Sequence, residues 1–327
     1  MDCLREMIKL KKNLIRLAQK KNPGLARLKD FISELDSAGC FAIRSRNHGL
    51  PRISIVTPSF NQGRFLERTI LSVINQNYPN LEYIIIDGGS TDGSREIIKK
   101  YVNYLTYWTS RKDGGQSEAI NNGFKRSTGD VLAWLNSDDV YLPGTLNAVG
   151  RLFEADRLTG VFYGNLVHID EHDNLINMIK DIPFNKRAFL YWGNDINQSA
   201  AFFRRTPFFE IDMLREHLHY GMDYDLWFRM IRADVKFVYV PSLLAAARIH
   251  SGAKTVQDSK SARCAILSLK AEILNIREND PYSGFCRSIY RVKRFVRFAL
   301  NGDVFYLFWV SLNHLSGFWR KLCRFLE

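Results

Sequence analysis

Between Ile53 and Asp139 the chain alternates short apolar runs with longer amphipathic segments. The apolar runs start at Ile53, Leu81, Leu105 and Val131, and residues with helical spacing follow each of the first three. Short runs rich in Ile, Val and Leu predict buried strands, and strands that alternate with helices predict a mainly parallel sheet. We therefore expect an α/β fold, with ligands bound in a crevice at the carboxyl ends of the strands.

Polar loops follow three of the predicted strands. The first loop begins at Thr57, the second begins at Asp87, and the third spans residues 136–139. Because the carboxyl ends of neighbouring parallel strands meet at one edge of a sheet, we expect these loops to converge on one site. The glycines after Asp87 permit close approach of the backbone to a ligand. The alternative for the second loop is that its residues only make turns.

Two adjacent carboxylates, Asp138 and Asp139, follow the buried run that ends at Leu135. Such carboxylates repel each other unless a cation or hydrogen-bond donors neutralise them. Oxygen ligands of this kind suit Mg²⁺ or Mn²⁺, which retain waters and share substrate phosphates. The alternative is an acidic turn that caps the next segment, because a Pro-Gly turn signal follows at residues 143–144.

The polar loops do not match the common nucleotide-binding motifs. No G-x-G-x-x-G sequence opens the first predicted helix, and the chain contains no glycine-lysine-serine/threonine sequence. A nucleotide site of the dehydrogenase or kinase type is therefore disfavoured.

The net charge of +12 is concentrated at the two ends of the chain. Lysine and arginine are frequent in residues 5–28 and 287–324, whereas the centre is more nearly balanced. Basic ends around a neutral body indicate contact with an anionic surface, either phospholipid or nucleic acid. The five cysteines are scattered and lack metal-binding spacing, which favours a reducing, cytosolic setting. The first residues lack the apolar core of a signal peptide, so secretion is not expected.

A second pair of acids, Asp223 and Asp225, stands at the start of a predicted amphipathic helix. Leu226, Met230 and Ile231 form the apolar stripe of this helix. In the first turn, the helix dipole favours the ionised form of Asp223, which is the form that a general base needs. The alternative is an acid that only caps the helix.

Two ordered segments of the sequence carry a family resemblance. They are ISIVTPSFNQGRFLERTILSVINQNYPNLEYIIIDGGSTDGS and DGGQSEAINNGFKRSTGDVLAWLNSDDVYLPGTL. Together they closely resemble the family 2 inverting glycosyltransferases, and the resemblance extends over residues 51–255. It implies a GT-A fold, which is a Rossmann-like, mixed but mainly parallel sheet flanked by helices. It also implies a nucleotide-sugar donor and a divalent cation, Mn²⁺ or Mg²⁺.

The resemblance implies roles for residues of the donor site. Thr57 and Asp87 match positions that contact the nucleotide base and ribose, and Asp138 matches a residue that faces the ribose or the donor sugar. Asp139 matches the metal ligand of the DxD-type motif. Gln198 lies where relatives place polar residues near the donor sugar or the acceptor.

The resemblance also implies a metal-proximal histidine and a base, with two departures from the family pattern. His250 matches a histidine that approaches the metal or the diphosphate. Asp223 matches the aspartate of the ED motif, the general base, although Met222 replaces the acid before it. Asp225 is then expected to be a helix N-terminal or salt-bridging acid. Gly88 stands where many members have a second acid, which leaves the identity of the nucleotide base open.

The sequence predicts a catalytic domain at residues 51–255 with a basic helical extension on each side. Residues 1–50 form the first extension with a linker, and residues 256–327 form the second, in which cations and aromatic residues are interleaved. The uncharged part of the second extension is shorter than the roughly 20 apolar residues that span a bilayer. We therefore expect helices lying on the anionic inner leaflet of the membrane. The alternative is a helical cap packed on the catalytic domain.

These observations together predict a metal-dependent inverting transferase that uses a nucleotide-sugar, with a UDP-sugar favoured. The acceptor is expected to be a glycan or a lipid-linked molecule in cell-surface polysaccharide biosynthesis. The predicted location is cytoplasmic and peripheral, on an anionic membrane surface, without a nucleic-acid partner. One alternative is a sugar-1-phosphate nucleotidyltransferase, although the basic glycine-rich signature for a triphosphate is missing after the first strand. The other is a non-catalytic nucleic-acid-binding protein, which leaves the acidic loops unexplained.

Overall fold

The computed structural model describes residues 49–181, 183–186, 189 and 196–274. Residues 1–48 of the predicted N-terminal extension and residues 275–327 of the predicted C-terminal extension lie outside these residues. Within the described part of the chain, no helix combines the length and the hydropathy that crossing a membrane requires. The predicted domain boundaries and the predicted membrane contact stay predictions.

Nine strands of the described residues form one sheet. The strands are β1 (Ile53–Ser59), β2 (Leu81–Asp87), β3 (Tyr107–Ser110), β4 (Val131–Trp134), β5 (Val140–Tyr141), β6 (Val161–Ile169), β7 (Leu175–Ile179), β8 (Ala201–Arg204) and β9 (Phe237–Arg248). Their order is β3-β2-β1-β4-β8-β6-β9-β5, and β7 pairs with β6. The strands β1 to β4 are parallel, whereas β8 is antiparallel to both of its neighbours. The sheet is therefore mixed, as expected.

Helices flank the sheet, and the predicted helices after the first three strands are confirmed. The helices are α1 (Gly63–Ile74), α2 (Ser94–Lys100), α3 (Gln116–Arg126), α4 (Thr145–Ala155), α5 (Arg205–Glu210), α6 (Met222–Arg232), α7 (Lys254–Gln257) and α8 (Ser259–Leu274). Short 3₁₀ turns occur at Val102–Tyr104 and Gln198–Ala200.

The parallel strands end at one edge of the sheet because of their register. Ser59 at the end of β1 lies opposite Asp87 at the end of β2, and Asp87 lies opposite Ser110 at the end of β3. Val56 of β1 lies opposite Trp134, the last residue of β4. The loops that follow β1, β2, β3 and β4, called here the strand-end loops, therefore meet at this edge, as the sequence predicts.

Side chains of the parallel strands alternate between two buried clusters, because successive residues of a strand point to opposite faces. Ile55 and Ala133 belong to the cluster with residues of α1, α2 and α4, and Val56 and Leu132 belong to the cluster with residues of α3, α5 and α6. A Cβ atom on Gly123 of α3 would lie 2.5 Å from Cγ1 of Val56. Because glycine has no side chain, α3 packs directly against β1.

The second half of the sheet returns to the strand-end loops. The strand β9 is parallel to β6, and its end pairs antiparallel with β5, where Val140 lies opposite Ala246. Since β5 directly follows Asp139, this pairing brings Arg248 and His250 to the edge where the strand-end loops meet.

The helix α8 packs near the start of α6. Leu269 of α8 is buried in the cluster that contains residues of α3 and α6. A Cβ atom on Gly221, the residue before α6, would lie 3.2 Å from Cγ1 of Ile266. The first part of the predicted C-terminal extension therefore covers the start of α6.

Candidate active site

Asp87, the last residue of β2, is fully buried and holds the loop that follows it. Its carboxylate accepts hydrogen bonds from the backbone N–H groups of Gly89 (3.2 Å) and Ser90 (2.9 Å). It also accepts hydrogen bonds from the hydroxyl groups of Ser90 (2.5 Å) and Ser110 (2.6 Å). These donors fix the loop after β2 against the end of β3. Asp87 thus lies at the predicted edge, and its contact with a nucleotide stays a prediction.

Thr57 lies near the end of β1 and is also fully buried. Its Oγ1 atom is 3.1 Å from the hydroxyl of Tyr83, and burial raises the pKa of Tyr83. Ser59 follows at the strand end, and its buried Oγ atom has no hydrogen-bond partner among the described residues. The side chain of Thr57 therefore stabilises the end of β1, and its predicted contact with a nucleotide stays a prediction.

Gly88 follows Asp87, and the carboxylate of Asp113 occupies the space beside it. A Cβ atom on Gly88 would lie 3.2 and 3.3 Å from the two carboxylate oxygens of Asp113, and 3.3 Å from Cδ2 of Phe60. Desolvation, and to a smaller extent the carboxylates of Glu118 and Asp87, raise the pKa of Asp113. The ring of Phe60 is 61% exposed. Sequence analysis did not assign Asp113 to the site, because the loop after the third strand was not among the three polar loops from which the site was predicted.

Asp138 and Asp139, called here the acid pair, have different surroundings. Asp139 is 5% exposed, and its Oδ1 accepts a hydrogen bond from the backbone N–H of Arg248 at 2.9 Å. Its Oδ2 accepts hydrogen bonds from the Ser199 hydroxyl at 2.6 Å and from the Asn136 amide at 3.4 Å. Burial, together with the carboxylate of Asp138, raises the pKa of Asp139 to about 7. A cation beside the acid pair would offset both effects.

Asp138 is the more accessible member of the acid pair. Its side chain is 17% exposed, and its Oδ2 lies 3.1 Å from Nε2 of His250. Its backbone carbonyl accepts a hydrogen bond from Nε of Arg248 at 2.9 Å. Among the described residues, none donates a hydrogen bond to its Oδ1. This oxygen is therefore available to a ligand.

His250 is held from both sides of its ring. Nη2 of Arg64 lies 2.9 Å from Nδ1, and the ring of Phe65 packs against the imidazole with centroids 4.7 Å apart. Because a guanidinium group can only donate, Nδ1 accepts and Nε2 carries the proton that is donated to Asp138. In this arrangement His250 orients Asp138. Its predicted role as a metal ligand through Nε2 requires the other ring tautomer, with the proton on Nδ1, and Arg64 would then have to leave its contact with Nδ1.

Amide groups connect the acid pair to the start of α3. The side-chain oxygen of Asn136 accepts a hydrogen bond from Nε2 of Gln116 at 2.8 Å, and its Nδ2 lies 3.4 Å from Oε1 of Gln198. Gln198 also donates to the carbonyl of Trp134 at 2.6 Å. The predicted site residue Gln198 therefore lies beside the acid pair. Gln116 and Asn136 received no role from the sequence, because isolated amides form no recognisable motif.

Asp223 lies in the first turn of α6 and is partly exposed, in agreement with the predicted position. The residue before the helix, Gly221, has a φ of 71°, which favours glycine. Sδ of Met222 accepts a hydrogen bond from the hydroxyl of Ser117 at 3.0 Å. Since Ser117 is the neighbour of Gln116 in α3, this helix links the start of α6 to the acid pair.

Asp225 is a salt-bridging acid, as expected. It is 1% exposed, and its carboxylate lies 2.8 Å from Nε of Arg229 and 3.3 Å from Nη1 of Arg215. Arg229 also donates to the carbonyls of Ile211 and Met213 at 2.5 and 2.6 Å. Asp225 therefore fixes α6 to the segment that precedes it.

The acid pair has the ligand chemistry for a divalent cation. No three His, Cys, Asp or Glu side chains of the described residues converge on a common metal position. Mg²⁺ and Mn²⁺ do not require such a cluster, because they take one or two carboxylates and complete their shell with waters and substrate phosphates. Asp138 has one carboxylate oxygen that accepts no hydrogen bond from the described residues, and its side chain is 17% exposed. The residues present therefore fit a cation of this type.

The fold is the GT-A fold of glycosyltransferases. The structure of S. aureus TarS 1-349 in complex with UDP-GlcNAc has a TM-score of 0.57 and 17% sequence identity, covering 75% of this chain and 73% of that chain. The mannosyltransferase PcManGT from Pyrobaculum calidifontis, in complex with GDP-Man and Mn²⁺, has a TM-score of 0.53 and 13% identity, covering 86% and 75%. At these identities the similarity establishes the fold alone.

Sequence comparisons relate the central part of the chain to one family. Residues 54–211 match the model described as glycosyl transferase family 2. The chain is 29% identical over 255 residues to an "Uncharacterized glycosyltransferase" of Rickettsia felis, covering 71% of this chain and 41% of that protein. It is 28% identical over 260 residues to an "Uncharacterized glycosyltransferase" of Haemophilus influenzae, covering 79% and 98%. Residues 54–211 therefore resemble glycosyltransferase family 2, and the chain spans less than half of the length of the Rickettsia relative.

Proposed function

We propose that this chain is an inverting glycosyltransferase that moves a sugar from a nucleotide-sugar donor to a hydroxyl group, with a divalent cation at the acid pair. The supporting observation is the chain of contacts that joins the acid pair to the start of α6. It runs from Asn136 to Gln116, and then from Ser117 to Met222, which precedes Asp223. A cation site and a candidate base at one edge of the sheet are the two components that direct transfer requires.

On this proposal the nucleotide lies on the loops after β1, β2 and β3. The exposed ring of Phe60 offers a face to the base, and the carboxylate of Asp113 offers an acceptor to its N–H groups. Uracil and guanine both present ring N–H donors, so both are compatible with this site. The favoured UDP-sugar agrees with TarS 1-349, which binds UDP-GlcNAc, whereas PcManGT binds GDP-Man. Thr57 and Asp87 fix the strand ends beneath the base and ribose.

The predicted ligands of the cation are Asp139 and His250. When bound there, Mn²⁺ or Mg²⁺ supplies positive charge to the departing diphosphate. The Mn²⁺ bound by PcManGT, which shares the fold, supports the choice of metal. Ser199 and the backbone of Arg248 hold the carboxylate of Asp139 in place. Asp138, whose Oδ1 is accessible, is positioned for the ribose or the donor sugar.

Asp223 is the proposed general base. It accepts the proton of an acceptor hydroxyl as that oxygen attacks the anomeric carbon from the face opposite the diphosphate. A new carbon–oxygen bond forms while the bond from the anomeric carbon to the diphosphate breaks, so the configuration inverts. This single displacement needs no second carboxylate as a nucleophile, in contrast to retaining glycoside hydrolysis. Gln198, beside the acid pair, is proposed to contact the donor sugar.

The proposed acceptor is a glycan or a lipid-linked molecule in cell-surface polysaccharide biosynthesis. The excess of cations interleaved with aromatic residues in residues 286–327 supports a location at the inner face of the cell membrane. Sedimentation of the full-length chain with anionic liposomes tests this location. We expect binding at low salt that is lost at high salt, and the absence of binding at low salt would contradict it.

A donor panel tests the transferase activity. The full-length chain is incubated with UDP-, GDP- and dTDP-sugars in the presence of Mn²⁺ or EDTA, and release of the nucleoside diphosphate is measured. We expect slow hydrolysis with sugars of one base, lost in EDTA and restored by Mn²⁺. Release that is independent of metal would contradict the cation site. Formation of pyrophosphate from a sugar 1-phosphate and a nucleoside triphosphate would instead identify a nucleotidyltransferase.

A further inference from the structure

Lys254, the first residue of α7, lies one turn beyond the end of β9 that contacts the acid pair. His250 donates a hydrogen bond to Asp138, and the backbone N–H of Ala253 donates to the carbonyl of His250 at 3.0 Å. This turn sets the position of Lys254 relative to the acid pair.

The ammonium group of Lys254 reaches the segment that leads into α6. Its Nζ lies 5.1 Å from the centroid of the Tyr220 ring, which is within the range of a cation–π contact. Tyr220 directly precedes Gly221, and Asp223 follows in the first turn of α6. Lys254 therefore links the turn that follows His250 to the segment that carries the proposed base, Asp223.

Lys254 differs from the arginines near the acid pair, because it has no counter-ion among the described residues. Arg64 forms an ion pair with Glu171 at 3.1 Å, and Arg248 forms one with Asp173 at 2.6 Å. Desolvation lowers the pKa of Lys254, although the residue as a whole is exposed to solvent. A partly desolvated ammonium group without a counter-ion gains stability when it binds an anion.

We propose that Lys254 binds the diphosphate of the donor and stabilises it as the leaving group, an inference that rests on the glycosyl transfer proposed above. The diphosphate must lie between a cation at the acid pair and a sugar within reach of Asp223, and Lys254 connects these two regions. When the bond from the anomeric carbon to the β-phosphate oxygen breaks, its electron pair stays on that oxygen. An ammonium donor at this position neutralises part of the developing charge.

The test compares nucleotides that differ by one phosphate. Calorimetry with Mn²⁺ measures binding of UDP, GDP, UMP and GMP to the full-length chain, to Lys254→Met and to Lys254→Arg. The matched control is Lys260→Met, which removes an exposed lysine of α8. For the diphosphate that the wild-type chain binds, Lys254→Met should weaken affinity about 10- to 100-fold, as loss of a charge-assisted hydrogen bond predicts. Binding of the corresponding monophosphate should change by less than about threefold, and Lys254→Arg should retain most of the affinity.

The ratio of diphosphate to monophosphate affinity decides the proposal, because partial unfolding would weaken both nucleotides together. An unchanged ratio in Lys254→Met overturns it, as does an equal loss of diphosphate affinity in Lys260→Met. The proposal is also overturned if Lys254→Met weakens only the binding of a phosphorylated acceptor and leaves nucleotide binding unchanged. Lys254 would then belong to the acceptor-binding site. If the wild-type chain binds neither UDP nor GDP, and the donor panel described above releases no nucleoside diphosphate, the glycosyl transfer itself is wrong.

Discussion

The acids of the strand-end loops and the acids of α6 are held by different kinds of contact. Asp87 and Asp139 accept hydrogen bonds from backbone N–H and hydroxyl groups of neighbouring strands and loops. Asp225 of α6 is held by the long side chains of Arg215 and Arg229. The sheet therefore determines the geometry of the proposed donor side directly. The proposed acceptor side depends on how α6 docks against the rest of the chain.

If the strand-end loops bind the donor and α6 carries the general base, a change in α6 should slow sugar transfer without weakening donor binding. The substitution Asp223→Asn is expected to have the largest effect of this kind. Asparagine has nearly the same shape as aspartate but cannot accept the proton of the acceptor. Transfer should fall by roughly two to four orders of magnitude, while the dissociation constant for the donor stays within about twofold. Initial rates and donor calorimetry measure the two effects.

The matched control for Asp223→Asn is Asp225→Asn, two residues further along α6. Its carboxylate is engaged by two arginines, so its loss should act on stability rather than on the chemical step. If the folded Asp225→Asn variant is inactive while Asp223→Asn transfers sugar normally, the base is assigned to the wrong residue.

The docking of α6 itself is tested by Asp225→Ala. Removal of one partner of a buried ion pair leaves the charge of Arg229 without compensation, which costs about 3 kcal/mol of unfolding free energy. Denaturant unfolding of the variant measures this loss. A change below about 0.5 kcal/mol, the usual effect at an exposed site, would show that α6 docks without this ion pair.

The two halves of the sheet also differ in how far the sequence predicts them. The strand β4 is a wholly apolar run, and β1 and β2 are rich in isoleucine and each precede an amphipathic helix, so their order and common edge follow from pattern alone. The contacts of Asp139 with Ser199 and Arg248 come from β8 and β9, which enter the sheet after long stretches of chain. No local pattern specifies that β9 pairs with β5. The positions of Asp139 and Asp223 were therefore predictable, whereas the groups that hold Asp139 were not.

On the donor side, Asp139→Asn removes the negative charge that a cation requires but keeps the shape of the side chain. Affinity for the donor in Mn²⁺ should fall about 10- to 100-fold, and affinity measured in EDTA should change little. The control is Ser199→Ala, which removes a hydrogen bond to Asp139 at 2.6 Å but leaves the carboxylate. An unchanged Mn²⁺-dependent affinity in the folded Asp139→Asn variant would exclude Asp139 as a ligand.

The smallest expected effect concerns Asp113, which stands beside Gly88 within the strand-end loops. Asp113→Asn replaces an anionic acceptor with an amide, so KM for the donor should rise about three- to tenfold while kcat stays unchanged. Desolvation raises the pKa of Asp113 from its ordinary value. In the wild-type chain, donor affinity should therefore fall as the pH drops through this raised pKa, because the protonated carboxyl group accepts N–H donors more weakly. The variant has no group that titrates at this position and should lose this part of the pH dependence. A fall in kcat at unchanged KM, or a pH profile equal to that of the wild type, would show that Asp113 does not contact the nucleotide base.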